Sequence, residues 1–279
     1  MSNITFGCDP EVFLVQDGEM VPAGVVFDAL HIPRHAEVNC GFIYVDGCAL
    51  EIQPMYGQTE NDLVGHLKEL LTDVNSIFRG WDILATPVIQ IDLKKWVNDQ
   101  HPELTVFGCD PDKSAWGDKF SPGSVDATTH PLRYGGCHLH LGGLEKEPRT
   151  RIIRLVKALD RTVGVMHTAV CGSVGIERTE LYGRPGIYRF QPWGAEYRTP
   201  SNMILRDPNT FYTFLKLAGW TAENLSAAYD LFPDDLVVNT ISRADQKTAI
   251  DMAAMVCKYV GVEIPMVHTD STFIERWLL

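Results

Sequence analysis

The sequence has no glycine-rich nucleotide loop. Neither G-x-x-x-x-G-K-[ST] nor G-x-G-x-x-G occurs in its 279 residues, and both loops work by bringing backbone N–H groups close to phosphates. This absence argues against a P-loop enzyme and a Rossmann dehydrogenase. A G-x-S-x-G nucleophile elbow is also missing, which argues against an α/β-hydrolase. A bound phosphate would therefore have to be held by arginine side chains and metal ions.

Paired cysteines and long apolar runs are missing as well. The seven cysteines are scattered without a C-x-x-C pair, which predicts reduced thiols rather than disulfides or a zinc site. No stretch reaches the roughly eighteen apolar residues that span a bilayer. The first residues also lack the basic and apolar regions of a secretion signal. We therefore expect a cytoplasmic protein with no membrane partner.

Positive charge is in short supply. The chain has 24 lysines and arginines against 36 aspartates and glutamates, which gives a formal net charge of −12. A surface that binds nucleic acid or an anionic membrane needs the opposite balance, so no nucleic-acid partner is predicted. Because 45% of its residues are apolar, the chain can bury one large core, and we expect a single domain over residues 1–279.

Hydrophobic periodicity predicts strands and helices that follow no regular β-α-β order. Alternation indicates strands at 11–16, 21–27, 42–45, 48–53, 82–92 and 134–141, and a hairpin over 187–198. Helical spacing indicates helices at 59–78, 148–170, 245–259 and 272–279, with a mostly helical chain after residue 207. Because hairpin turns join the strands, we expect an α+β fold with a mainly antiparallel sheet.

Three polar pairs have the i, i+2 spacing that places side chains on one face of a strand. They are Asp9 with Glu11, His138 with His140, and Glu196 with Arg198. A further carboxylate, Glu51, lies between apolar neighbours in another strand-like segment. If one sheet face carries them all, a divalent cation is needed, because unpaired buried charges are costly. Carboxylates with one imidazole favour magnesium or manganese over zinc.

Each pair also has an ordinary structural interpretation. Asp9 and Glu11 fit a solvated turn ahead of a strand, and the two histidines fit an exposed sheet edge. Glu196 and Arg198 fit a surface ion pair. The residues alone leave these alternatives open, although the glycines beside the histidines indicate close approach of the backbone to another group.

Basic residues are concentrated between positions 149 and 206, where ten lysines and arginines accompany four acids. Three of these arginines, Arg184, Arg189 and Arg198, lie in strand-like or glycine- and proline-rich surroundings. In such places a guanidinium commonly binds phosphate or carboxylate. Arginines beside metal-binding carboxylates indicate a site for a polyphosphate and its metal.

The segment 108–133 is rich in glycine, proline, serine and aspartate, with little periodicity. A loop of this length in a compact domain is often an active-site lid. We therefore predict a lid here, with Trp116 or Asp118 as candidate substrate contacts.

The order of these motifs resembles that of the glutamine synthetase-like carboxylate-amine ligases. GCDPEVFLV is similar to the first acidic strand of that family, and DGCALEIQP is similar to the second. GGCHLHLG resembles the His-x-His strand, and RPGIYRFQPWGAEYRTPSN resembles the arginine-rich stretch that ends in Glu-x-Arg. More closely, the chain resembles the phage-encoded carboxylate-amine ligases of type 2, also called amidoligases.

This resemblance implies a role for each site residue. Asp9, Glu11, Glu51, His138 and Glu196 would bind metal, while His140, Arg184, Arg189 and Arg198 would bind the nucleotide. Glu196, Arg189 and Arg198 would also take part in catalysis. The implied fold is a curved, mainly antiparallel sheet of the glutamine synthetase type, with helices on its convex side.

The implied activity joins a carboxylate to an amine, using ATP and Mg²⁺ or Mn²⁺, through an acyl phosphate. The substrates would be small molecules or peptides, and the location would be the host cytoplasm for a phage protein. Three alternatives remain open: a phosphagen-type kinase, a metal-dependent amide or phosphoester hydrolase, and a non-catalytic phage interaction protein. The sequence also leaves open whether the protein is a homo-oligomer.

Overall fold

A computed structural model describes residues 4–97, 101–107, 113–117, 125–266 and 273–279. The described residues form twelve strands: β1 (Thr5–Gln16), β2 (Glu19–Val21), β3 (His35–Val38), β4 (Gly41–Asp46), β5 (Ala49–Pro54), β6 (Asp82–Leu84), β7 (Val88–Gln90), β8 (Lys113–Ser114), β9 (Leu132–Tyr134), β10 (Cys137–Gly142), β11 (Ile187–Gln191) and β12 (Gly194–Tyr197).

Eleven α-helices lie between and after these strands in the described ranges: α1 (Ala23–Ala29), α2 (Glu60–Ile77), α3 (Leu93–Trp96), α4 (Arg149–Leu159), α5 (Val165–Cys171), α6 (Ile176–Leu181), α7 (Pro208–Glu223), α8 (Leu225–Tyr229), α9 (Asp234–Ser242), α10 (Gln246–Val260) and α11 (Ile274–Leu278). None of the helices in this part of the chain combines the length and apolar character needed to cross a bilayer.

Ten of the described strands form one sheet, in the order β3-β4-β5-β1-β10-β12-β11-β8, with β2 and β6 paired to β1. All pairings in it are antiparallel. The α+β class with a mainly antiparallel sheet is therefore confirmed. The central position of β1 is important for the site, because this strand has neighbours on both sides along its length.

Alternation along β1 separates a core face from a polar face. Cys8, Val12 and Leu14 point into the main hydrophobic core, whereas Asp9 and Glu11 point the other way. Helices α2, α4, α5 and α7 contribute apolar side chains to this core. These four helices thus pack on one face of the sheet, opposite the side chains of Asp9 and Glu11.

Helix α2 shows how local sequence sets one of these layers. Thr59 caps its start, and the Thr59 and Asp62 side chains exchange hydrogen bonds with each other's backbone N–H. Leu63, Leu67 and Val74 recur at helical spacing and are fully buried. The predicted helix at 59–78 is therefore confirmed, as is the long helix predicted after residue 148, which runs through α4 and α5.

A second, smaller hydrophobic cluster closes the acidic face at one end. Phe13 and Val15 follow Glu11 on the same side of β1 and pack with Met20, Ile91 and Leu104. Because this cluster excludes water from the end of the face, the carboxylates nearby are partly desolvated.

Three predicted strands were wrong in part; one of them, at 134–141, is divided between the end of β9 and β10. The segment 21–27 contains helix α1 rather than a strand, because its buried residues Ala23, Val26 and Phe27 have helical spacing. The predicted strand at 82–92 is broken into β6 and β7 around Pro87, which has no N–H to donate to a sheet.

The predicted lid segment is only partly described. Residues 108–112 and 118–124, and with them Asp118, lie outside the described residues. Trp116 packs on the helical side, where its indole Nε1 donates a hydrogen bond of 2.6 Å to Asp160. The acidic face has two cavities, one beside Asp9 and one beside Glu11, and Trp116 lines neither of them. The prediction that it contacts substrate is therefore not supported.

Asp160 holds strand β12 in place from behind. It is fully buried in a π-helical turn between α4 and α5. It also accepts a hydrogen bond of 2.6 Å from the hydroxyl of Tyr197, which lies between Glu196 and Arg198. Burial raises the pKa of Asp160 to about 6, against the opposing effect of its hydrogen bonds. The network fixes the orientation of a strand that supplies two site residues.

We expect Tyr197→Phe to lower the free energy of unfolding by about 1–3 kcal/mol at pH 8, because a buried carboxylate loses a donor. The loss should be smaller at pH 5. The folded-state pKa of Asp160 is raised, so its contribution to stability is present at low pH and lost as the pH rises through about 6. Urea denaturation at both pH values measures the effect, with the exposed Tyr259→Phe as control. Equal losses at both pH values would contradict this account.

Candidate functional site

One group of side chains on the acidic face comes from three adjacent strands. Asp9, His138 and Glu196 offer ligand atoms that all lie within 4.8 Å of one another. Nδ1 of His138 is 3.0 Å from Oδ1 of Asp9 and 3.7 Å from Oε1 of Glu196. We call these residues the first acidic cluster.

The register of the sheet creates this cluster. Asp9 lies opposite His138 across β1 and β10, and His140 lies opposite Glu196 across β10 and β12. Arg189 on β11 is in turn opposite Glu196. Residues that are far apart in sequence therefore meet in a diagonal row on one face.

Electrostatics in the first acidic cluster favour ionised carboxylates. Burial by itself would raise the pKa of Asp9, but His138 and His140 lower it far below its usual range. Burial and Asp9 would likewise raise the pKa of Glu196, yet His138, Arg198 and His140 together lower it. Burial lowers the pKa of His140, an effect that its contact with Asp9 more than reverses. The cluster is thus a set of mutually dependent charges.

A second acidic cluster, Glu11, Asp46 and Glu51, lies on the same face, again with ligand atoms within 4.8 Å of one another. Here no cation compensates the charges to the same extent. Burial, Asp9, Glu11 and Asp46 raise the pKa of Glu51 to about 10, and burial with Glu11 raises that of Asp46 to about 6. In the absence of a cation, this cluster therefore retains a proton at neutral pH.

Two hydrogen bonds from neighbouring segments fix the position of Glu11. Its Oε2 accepts a hydrogen bond of 2.7 Å from the N–H of Gly136, and its carbonyl oxygen accepts one of 2.7 Å from the amide of Asn202. A Cβ at Gly136 would lie only 2.7 Å from Nε2 of His138. The close approach predicted from the glycines beside the histidines is therefore confirmed.

Asp46 was not among the residues predicted for the site. With Gly47 it predicts a hairpin turn, and the structure does have a turn there, between β4 and β5. Asp46 is nevertheless the last residue of β4 and lies opposite Ala49, two residues after Tyr44, which pairs with Glu51. Tyr44 and Asp46 have the same i, i+2 spacing as the other polar pairs, next to the apolar Ile43. This spacing could have indicated Asp46 as a site residue.

The three predicted arginines take different positions. Arg198 is buried, forms a short contact with Oε1 of Glu196 and places Nη1 3.3 Å from Nδ1 of His138. Arg189 is more exposed, with Nη1 3.5 Å from Oε1 of Glu196. Arg184 precedes β11 and does not line the two cavities described next; its role in nucleotide binding stays a prediction.

Two cavities flank the clusters. The larger, with a volume of about 830 Å³, opens beside Asp9 and Glu196 and is also lined by His140, Arg189 and Trp193. The smaller, about 60 Å³, opens beside the second acidic cluster. It is lined by Glu11, Asp46, His138, Arg133, Arg178, Arg198 and three aromatic rings, those of Phe107, Tyr134 and Tyr182.

The donor set fits divalent cations. Each cluster offers at least two carboxylates, and the first adds one imidazole, which is the chemistry preferred by magnesium or manganese. Oδ1 of Asp9 is buried and has no hydrogen-bond partner of good geometry among the described residues. A metal ion would satisfy this oxygen. The sequence grouped five residues as one ligand set, whereas the structure divides them between two clusters.

Comparison with protein families agrees with this site. Residues 119–257, just under half of the chain, match the model of the phage phiEco32-like COOH.NH2 ligase, type 2. Over these residues the chain is similar to this ligase family. The predicted resemblance to the phage-encoded type 2 ligases is therefore confirmed. A comparison with curated proteins finds no match.

The match to the ligase family includes the segment with the His-x-His and Glu-x-Arg strands. Asp9, Glu11, Asp46 and Glu51 lie outside the matched residues. They meet the matched segment through the pairing of β1 with β10 and through the hydrogen bonds of Glu11 with Gly136 and Asn202. The tertiary structure thus adds the N-terminal carboxylates to the matched segment.

We expect Glu51→Gln to stabilise the metal-free protein by about 1–2 kcal/mol at pH 8. The wild-type Glu51 is ionised when unfolded but protonated when folded, since its folded pKa is about 10. Its contribution to stability is therefore present at low pH and lost as the pH rises toward 10. The same variant should bind Mn²⁺ more weakly. Thermal unfolding with EDTA and Mn²⁺ titration by electron paramagnetic resonance measure the two effects.

Glu263→Gln makes the same charge change at an exposed position after α10 and should alter neither quantity. A destabilised Glu51→Gln variant with normal Mn²⁺ binding would show that Glu51 has a structural role instead.

Proposed function

We propose that the protein is an ATP- and Mg²⁺- or Mn²⁺-dependent carboxylate-amine ligase that works through an acyl phosphate. The observation that carries this proposal is the pair of acidic clusters on one sheet face, each with its own cavity. Two such clusters give the phosphate donor and the acceptor separate places at a shared centre. We further propose a glutamine synthetase-type sheet and a single catalytic domain over residues 1–279.

The larger cavity is the proposed nucleotide site. Its volume is within the range of about 300–1,000 Å³ typical of small-molecule sites. His140 and Arg189 supply positive charge beside the first acidic cluster, where phosphates and their metal would lie. Phe42, Tyr56 and Trp193 also line this cavity and offer ring faces to a base.

The smaller cavity is the proposed site for the acid substrate. A metal held by Glu11, Asp46 and Glu51 would offset their repulsion and attract the substrate carboxylate. A carboxylate oxygen then attacks the γ-phosphorus, and ADP leaves. The amine next attacks the acyl carbon, inorganic phosphate leaves, and the amine gives up a proton.

Arg198 is placed to stabilise the transferring phosphoryl group. It is buried and fixed by Glu196 beside His138, so little reorganisation is needed when charge develops. Arg189 is more exposed and reaches the same carboxylate from the nucleotide side. A positioned arginine can contribute roughly a thousandfold or more in phosphoryl transfer.

Incubation of the protein with MgATP, pooled carboxylic acids and pooled amines tests the proposal. We expect ADP and phosphate to form only when an acid and an amine are both present, with an amide detected by mass spectrometry. A phosphorylated product without an amide would indicate a phosphagen-type kinase. Amide or phosphoester cleavage without ATP would indicate a hydrolase. Absence of nucleotide binding and of turnover would indicate an interaction protein.

The two clusters should have separable roles. We expect Asp9→Asn to weaken Mg²⁺-dependent binding of a fluorescent ATP analogue at least tenfold, because it removes an oxygen beside the proposed phosphates. Asp46→Asn should leave that binding within about twofold but lower kcat/KM for the acid at least a hundredfold. Fluorescence titration and steady-state ADP release measure these quantities.

Asp73→Asn on α2 is a matched control, since Asp73 lines neither cavity and its carboxylate accepts a hydrogen bond of 3.0 Å from the backbone N–H of Asn39. Equal loss of nucleotide binding in both cluster variants would contradict the division of roles.

A further inference from the structure

Three aromatic rings form one side of the smaller cavity. The ring centroids of Tyr134 and Tyr182 are 5.5 Å apart, and Phe107 lies 6.1 Å from Tyr182 and 6.3 Å from Tyr134. All three side chains are partly buried and line the cavity beside Glu11 and Asp46. We call Phe107, Tyr134 and Tyr182 the aromatic wall.

The aromatic wall is separate from the cores that stabilise the fold. None of its three residues belongs to either hydrophobic cluster found among the described residues, although other tyrosines, such as Tyr188 and Tyr197, do. Their rings line the cavity and pack on one another and on the ring of His130, whose centroid is 5.8 Å from that of Phe107 and 5.9 Å from that of Tyr134. Aromatic surface placed in a cavity beside a polar centre is typical of ligand recognition.

Arg133 holds the segments that carry the wall. Its Nη1 donates to the carbonyls of His130 and Leu132, at 2.6 and 3.0 Å. Its Nη2 donates to those of Leu104 and Ala127, at 3.1 and 3.0 Å. The guanidinium carbon also lies 5.2 Å from the ring centroid of Phe107. Arg133 thus joins the chain before Phe107 to the chain before Tyr134.

The charges around the wall restrict what can bind there. All four Nη hydrogens of Arg133 are taken by carbonyls, so it cannot grip an anionic group with its usual paired donors. Its positive charge would repel a cation placed on the same rings. Burial raises the pKa of Tyr134 to about 12, so this ring is uncharged at neutral pH. An uncharged, flat or apolar group fits this surface best.

We propose that the aromatic wall selects the acid substrate, and that this substrate carries an uncharged aromatic or apolar body next to its carboxylate. The inference rests on the proposed function, because it assigns the smaller cavity to the acid. The carboxylate would lie at the second acidic cluster and its metal, with the body against Phe107, Tyr134 and Tyr182. Arg133 is a positioning residue for this wall.

A binding experiment tests the wall without requiring turnover. The protein with Mg²⁺ and a non-hydrolysable ATP analogue is titrated with four acids, 3-phenylpropionate, butyrate, succinate and 4-aminobutyrate, and binding is followed by ligand-observed NMR. We expect 3-phenylpropionate to bind at least tenfold more tightly than the other three. Tightest binding of succinate would indicate an anionic body, and that of 4-aminobutyrate a cationic one; either result, or equal binding of all four, overturns the proposal.

Variants at Tyr182 test whether the aromatic wall causes the preference for 3-phenylpropionate. Tyr182→Ala removes a ring and should reduce the preference for 3-phenylpropionate over butyrate about five- to tenfold, in line with the worth of an aromatic contact. Tyr182→Phe keeps the ring and should retain the preference, as should the exposed Tyr259→Ala. An unchanged preference in a folded Tyr182→Ala variant would exclude the wall as the binding surface. The wild-type titration remains decisive if this variant fails to fold.

Arg133→Lys tests the positioning role, because lysine keeps the charge but cannot donate to four carbonyls at once. We expect the preference to fall as in Tyr182→Ala, with nucleotide affinity unchanged. A normal preference in this variant would exclude Arg133 as a positioning residue. Failure of the proposed function has a different signature: 3-phenylpropionate binds selectively, yet no acid and amine pair yields an amide.

Discussion

Repulsion among carboxylates on one sheet face governs how this protein is built. Asp9, Glu11, Asp46, Glu51 and Glu196 are brought together where water is partly excluded, and isolated charges there are unfavourable. The first cluster limits this repulsion with two histidines and Arg198, whereas the second retains a proton. Such an arrangement lowers the stability of the metal-free fold and prepares it to bind cations.

The scaffold behind this face keeps the carboxylates from relaxing away from one another. Strand β1 is anchored on its core side by Cys8, Val12 and Leu14, and β12 is anchored by the bond between Tyr197 and Asp160. Because side chains alternate along a strand, each buried anchor fixes the direction of the charged residue next to it. The packed apolar side chains on one face of the sheet thus hold the charged side chains of the other face in place.

The two cavities differ in the kind of surface that surrounds them. The larger cavity presents cationic groups and aromatic rings. The smaller cavity is tighter, and Arg133 connects segments that line it by donating to their backbone carbonyls. Because backbone carbonyls occupy the Nη donors of Arg133, this side chain positions the aromatic wall and does not itself bind a ligand. The family match includes Arg133, Tyr134 and Tyr182, whereas Phe107 and the central strand β1 lie outside it.

Local patterns in the sequence were enough to predict the antiparallel α+β class, the capped helix α2 and the pairs Asp9 with Glu11 and His138 with His140. Each of these depends on local periodicity or on neighbours a few residues apart. The division of the acids into two clusters, with Asp46 in one of them, followed from tertiary contacts. The tertiary structure also moved Trp116 to the opposite face and gathered Phe107, Tyr134 and Tyr182 at one cavity. Such contacts depend on strand register and on loops from distant segments, which no local pattern encodes.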